Sequence, residues 1–183
     1  MNRSEERILV EQAQADPRKF DALYLAFIDD IYRFVYYKTS AKETAEDITS
    51  QVFMQALEHI HNFHYTPGAR FSSWLYAIAR NKVIDHYRRQ RDTVDLETIE
   101  PLPAPETTTE QVDQHINQER VHALLQQLPP ADQEILRLRL WQDKSYTEIA
   151  QILASNAVAV RARYSRAVKK FNTLYTKHYG QTN

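Results

Sequence analysis

The 183-residue chain contains no cysteine, which excludes a disulfide framework and any thiolate metal site. It has only two glycines. That is too few for a β-rich or loop-rich fold, and it excludes a phosphate-cradling glycine loop of the usual form. No apolar run approaches the roughly 20 residues of a membrane span. Residues 1–7 are charged and lack the apolar core of a signal peptide. A soluble cytoplasmic protein without membrane insertion is therefore expected. There is no HExxH and no nucleophile elbow, so no catalytic residue, metal ligand or cofactor is assigned and an enzyme is not expected. What is present is 43% hydrophobic residues, enough for buried cores, and few helix breakers. The expected fold is all-α.

The net charge of −1 conceals segregation. Residues 1–69 carry 7 basic and 11 acidic groups, whereas residues 70–91 carry 6 basic and 1 acidic. Residues 92–119 carry 8 acidic groups and no basic one, and residues 149–183 carry 6 basic groups and no acidic one. Two basic segments separated by a purely acidic stretch point to nucleic acid, which the overall charge alone would have hidden.

Apolar residues at helical spacing mark the elements. Phe20, Leu23, Tyr24, Phe27, Ile28, Ile31, Phe34 and Val35 outline one long amphipathic helix. Ser40 and Glu43 read as a capping box for a second, with Ala45, Ile48, Val52, Ala56 and Ile60 on one face. Pro67-Gly68 marks a turn. A third helix is expected from about residue 72 to 89, with Trp74, Leu75 and Ile78 as core. Residues 92–110 hold three alternating prolines and read as an extended linker. A helix with Val121, Leu124, Leu125 and Leu128 follows, stopped by Pro129-Pro130. The next helix runs from residue 131 to about 141. The chain thus reads as two small helical domains, 1–91 and 113–183, joined by an acidic flexible linker, 92–112.

Residues 145–170 are the most informative stretch. Ser145 and Glu148 form a capping box, and Ile149, Ile152 and Leu153 make a short apolar stripe. Ala154 and Ser155 interrupt it, and Asn156 can cap a second helix. There Val160, Tyr164, Ala167, Phe171 and Leu174 share one face, while Arg161, Arg163, Arg166, Lys169 and Lys170 crowd the others. A short helix, a tight turn and a longer helix with a basic exposed side is a helix-turn-helix pattern.

Three blocks in order carry a family resemblance. Residues 45–57 (AEDITSQVFMQAL) and 71–89 (FSSWLYAIARNKVIDHYRR) resemble the second conserved region of bacterial sigma factors. Residues 128–141 (LPPADQEILRLRLW) and the helix-turn-helix after them resemble the fourth. Two such regions with only a short linker resemble the extracytoplasmic-function group of the sigma-70 family. The chain departs from that pattern in having Ala154 where glycine is usual, Ser155 where an apolar residue is usual, and Ser50-Gln51 in place of Gln-Glu.

The resemblance implies a non-catalytic factor that joins core RNA polymerase, brings it to a promoter and assists opening. Asp47, Gln51 and Gln55, at i, i+4 and i+8, would be only a solvated face by spacing. The resemblance implies that they dock on the polymerase beta-prime coiled coil, and that the C-terminal domain meets the beta flap. The resemblance likewise gives the loop Phe63, His64 and Tyr65 the capture of an unpaired base of the downstream element. Aromatic stacking is worth about 1–3 kcal/mol per base. From the residues alone, Phe63 could equally plug the core. Arg80, Asn81, Lys82, Arg88 and Arg89 would lie along DNA near the melting point, with Trp74 read as core. Arg161, Arg163, Ser165 and Arg166 would read the upstream element, and Lys169 and Lys170 would meet phosphates. An anti-sigma factor is the further partner that the resemblance implies, and no fused sensor domain is expected. His59, His61 and His64 read as an exposed or DNA-facing cluster rather than a metal site. The competing reading is a helix-turn-helix regulator that binds DNA without being a polymerase subunit.

Overall fold

The computed structural model describes residues 1–66, 68, 70–93 and 120–179, with 91–93 by backbone alone. Residues 94–112 of the expected linker, and Pro67, lie outside them. The chain divides into two compact units, Met1–Pro105 and Glu106–Asn183. Every regular element among the described residues is helical.

The first unit opens with a helix that the sequence pattern did not announce, α1, Arg3–Ala15. Asn2 and Glu5 form a reciprocal cap at its start, with Asn2 Oδ1 accepting from Glu5 N at 2.9 Å. Its buried face is Glu6, Val10 and Ala13, a stripe with a carboxylate in it. A 3-10 turn, Pro17–Lys19, leads into α2, Phe20–Thr39. Of the expected stripe, Phe20, Leu23, Phe27, Ile31, Phe34 and Val35 are buried, whereas Ile28 is half-buried and Tyr24, at the edge of the stripe, is exposed.

Ser40 corrects the expected capping box. It adopts the left-handed conformation, φ 54°, and its N–H bonds to Tyr36 O, so it closes α2 rather than opening the next helix. The next helix, α3, Lys42–His59, starts after Ala41 without a side-chain cap. An N-cap needs extended backbone, which Ser40 lacks. Ala45, Ile48, Val52, Ala56 and Ile60 are buried as expected.

After a second 3-10 turn, Ile60–Asn62, Gly68 takes φ 81° in the loop leading to α4, Phe71–Thr93. Helices α2, α3 and α4 pack on one another, and α1 lies against α2 and α4. Aromatic rings fill the junction: Phe34 meets Tyr76 edge-on at 5.0 Å, and Phe71 lies 5.9 Å from Phe27. Such ring pairs add about 0.5–1.5 kcal/mol each beyond area burial.

The second unit holds the described helical residues 120–126 (α5), then α6, Pro130–Leu140, α7, Tyr146–Ile152, and α8, Ala157–Tyr179. Pro130 occupies the first turn of α6, where its missing N–H costs nothing. Leu125, Leu128, Leu136 and Ala167 form a core cluster, covered by Val121, Tyr164, Val168, Phe171 and Leu174.

Candidate nucleic-acid and polymerase interfaces

The turn between α7 and α8 is built from local chemistry. Ser145 Oγ accepts from Glu148 N at 3.2 Å and Ser145 N donates to Glu148 Oε2 at 2.9 Å, which closes the expected capping box. At the other end Ser155 N donates to Ala150 O at 2.8 Å and Ala154 N to Gln151 O at 3.3 Å. This is the paired bonding of a Schellman motif. Its left-handed residue is Ala154, φ 49°, at the position where glycine would avoid the Cβ clash. Asn156 Oδ1 then accepts from Ala159 N at 2.8 Å and starts α8.

Val160 and Ala167 are buried in α8, which fixes the inward face. At 100° per residue, Val158, Ala162, Ser165 and Lys169 lie opposite it, with Arg161 and Arg166 on either side. All six are exposed. The small Ala162 and Ser165 leave room for close approach. Val158, in the first turn, is 80% exposed. The sequence reading missed it, because attention to charge passes over a lone apolar residue. Its signal was position: the start of the second helix, opposite the buried stripe.

Two further basic residues of this helix, Arg163 and Lys170, are engaged. Arg163 Nε donates to Asp132 Oδ1 at 2.9 Å and Lys170 Nζ to Asp132 Oδ2 at 2.7 Å. Asp132 is buried at the start of α6. Burial pushes its carboxyl up, but the hydrogen bonds from Lys170 and Arg163 outweigh that and hold it below the ordinary value. Asp132 therefore staples α8 to α6 through both of its oxygens.

In the first unit Phe63 is buried, 5.4 Å from Phe71 and 5.3 Å from Trp74. It packs into the core, as one of its two readings expects. Trp74 is half-buried against it. His64 is exposed, and Tyr65 is half-buried, edge-on to Phe63 at 5.0 Å. The Tyr65 hydroxyl is buried without a hydrogen-bond partner among the described residues, and burial pushes its pKa up. On α4, Asn81, Arg88 and Arg89 are exposed and Lys82 is half-buried. The seven-residue spacing places Asn81 in line with Arg88 and Lys82 in line with Arg89, two turns apart, whereas Arg80 is half-buried on a different side of the helix.

On α3, Asp47 is exposed, and Gln51 Nε2 donates to Asp47 Oδ2 at 2.8 Å. Gln55 continues the stripe one turn on. Beside it an open groove of about 480 Å³ runs between α2 and α3, lined by Phe20, Tyr24, Phe53, Met54 and Leu57 among others. Met54 and Leu57 are exposed. The sequence reading stopped at the polar stripe and missed this apolar margin. Among the described residues no cluster of histidine and carboxylate side chains is arranged to hold a metal ion, and no helix is long and apolar enough to cross a membrane.

These features define a class: two helical units, the second built around a helix-turn-helix. Residues 23–93 match the family described as Sigma-70 region 2, and residues 118–171 match Sigma-70, region 4. The chain is 38% identical over 165 residues to the ECF RNA polymerase sigma factor BldN of Streptomyces coelicolor. That match covers 88% of this chain and spans 62% of the BldN length. It is 30% identical to the RNA polymerase sigma factor YlaC of Bacillus subtilis, over 85% of this chain and 91% of that one. The sigma factor RpoE of Bartonella quintana, solved in complex with the anti-sigma factor NepR, shares the fold. Its TM-score is 0.63 at 22% identity, covering 87% of this chain and 98% of that one. The chain belongs to the sigma-70 family of RNA polymerase sigma factors, in its extracytoplasmic-function group.

Proposed function

We propose that the protein is the promoter-selecting subunit of a bacterial RNA polymerase, working in the cytoplasm through polymerase-facing and DNA-facing surfaces on both of its units. The α3 stripe of Asp47, Gln51 and Gln55, with the apolar groove beside it, docks on the beta-prime coiled coil. The loop of His64 and Tyr65, backed by Phe63, receives an unpaired base of the downstream element. Asn81, Lys82, Arg88 and Arg89 follow the DNA backbone from α4. In the second unit Arg161, Ser165 and Arg166 face base edges of the upstream element and Lys169 meets a phosphate, while the unit as a whole rests on the beta flap. Arg163 and Lys170 act on DNA indirectly, by fixing the helix through Asp132. An anti-sigma factor is a further partner.

One observation carries this reading. The helix-turn-helix occurs in the same chain as a first unit that matches sigma region 2 along residues 23–93. A regulator acting without polymerase leaves that unit without a task. The test is reconstitution with core polymerase. Co-elution with core, and run-off transcripts from a few genomic start sites only when the protein is added, are expected. Tight sequence-specific binding by the free protein, with no association with core, would establish the regulator instead.

A further inference from the structure

Helix α1 reaches both ends of the loop between α3 and α4. At the near end, Gln14 Nε2 donates to Ile60 O at 2.9 Å and to Phe63 O at 2.8 Å. At the far end Glu6 is fully buried. One of its oxygens accepts from Phe71 N, the first residue of α4, at 2.8 Å, and the other pairs with Arg70 Nη2 at 3.2 Å. Between them the Arg7 guanidinium lies 5.9 Å from the centre of the Tyr65 ring. Arg70 also donates to Met1 O at 3.3 Å.

A buried carboxylate is costly unless it is paired and hydrogen-bonded; here one oxygen is hydrogen-bonded and the other is ion-paired, and the first N–H groups of a helix have no partner within it. Here the carboxylate comes from a different helix and sits at the positive end of α4. Glu6 and Gln14 are eight residues apart on α1, about 12 Å along its axis. The two side chains therefore set the separation of the points where the loop leaves and rejoins the helical core. Residues 1–22 precede the stretch that matches sigma region 2.

We propose that α1 is the positioning element of the base-capturing loop. Glu6 and Gln14 are positioning residues that hold the two ends of the loop, so that His64 and Tyr65 meet an unpaired promoter base in a preformed arrangement. This rests on the reading of the loop given above. Neither residue touches DNA or polymerase.

The test compares Glu6→Gln, Gln14→Leu and the double variant His64→Ala with Tyr65→Ala in full-length protein. Amide hydrogen exchange of residues 64–66 and 68 is followed in the free protein. Thymine reactivity to permanganate, core affinity and closed-complex affinity are followed in the holoenzyme. Glu6→Gln and Gln14→Leu should speed exchange in the loop and slow opening about tenfold, the size of effect expected from one lost hydrogen bond, while core and closed-complex affinities stay unchanged. On templates that differ at one downstream base pair they should also lose discrimination, whereas a merely weakened fold lowers every template alike. Opening at the normal rate in both α1 variants, with the loop double variant slow, would overturn the inference and leave the loop reading standing. Normal opening in the double variant would remove the loop reading and this inference together. Uniform loss on all templates with weakened core binding would also overturn it. If Glu6→Gln loses helix content, Gln14→Leu decides alone.

Discussion

At the scale of single residues, Ala154 and Asp132 carry opposite kinds of energy. Ala154 holds φ 49° at the helix-turn-helix corner, where a Cβ costs roughly 1–2 kcal/mol relative to glycine. Glycine returns part of that by the greater freedom it gives the unfolded chain. Ala154→Gly should therefore stabilise the second unit by about 0.5–1 kcal/mol, read as a higher urea midpoint at unchanged slope. A lower midpoint would mean that the alanine methyl packs favourably. Asp132 is held in its charged form by Arg163 and Lys170. Its folded pKa is depressed, so its contribution is complete above the unfolded value of about 3.9 and is lost as pH falls through the lower folded value. Both cations are about half exposed, so screening places the cost of Asp132→Asn at about 1–2 kcal/mol, below that of a fully buried pair. The difference between wild type and variant should be flat from pH 7 to 5 and shrink only in stronger acid.

At the scale of elements, α8 separates into base-facing, phosphate-facing and structural residues. Its first turn presents Val158, 80% exposed, in line with Ser165 and Lys169. An apolar side chain there can meet a thymine methyl. Replacing single upstream thymines by uracil removes only that methyl. One such change should weaken the wild type and leave Val158→Ala indifferent. Equal sensitivity of both at every position would take Val158 off the bases. Helices α2, α3, α4 and the helix-turn-helix were legible in the sequence because their signals are local: apolar spacing, a cap three residues from its partner, a proline stop. Helix α1 was not, since its buried stripe contains Glu6, and a glutamate gains its reason for burial only from Phe71 N and Arg70, more than 60 residues away. Ser40 misled for a related reason. Its spacing to Glu43 fits a cap, but the end of α2 had already claimed it in the left-handed conformation. Among the candidate site residues, nothing in the sequence separated Arg163 from Arg166. The difference is Asp132, 31 residues from Arg163 and brought to it only by the packing of α6 on α8.

At the scale of the whole molecule, the two units offer chemically different surfaces, so their tasks should be separable by single changes. Asp47 stands exposed on α3 and is bonded only to Gln51 among the contacts described. Asp47→Arg reverses a charge without disturbing a buried group, so helix content should persist while association with core polymerase is lost. Arg161→Ala should leave that association intact and shift base preference at one or two upstream positions, because an arginine–guanine pair discriminates by about 1–3 kcal/mol. The lysines give the sharper contrast. Lys169 is exposed on the face opposite the core, whereas Lys170 is bonded to Asp132. A lost phosphate contact lowers the slope of log affinity against log salt by about 0.9. Lys169→Ala should show that change on every promoter alike, with unaltered thermal stability. Lys170→Ala should do the reverse, destabilising the second unit while leaving the slope near its original value. Holoenzyme binding titrated across salt concentrations measures the slope, and thermal unfolding of the free protein measures the other half. If both lysines change the slope equally, the ion pair with Asp132 opens on DNA, and Lys170 joins Lys169 in supplying the attraction.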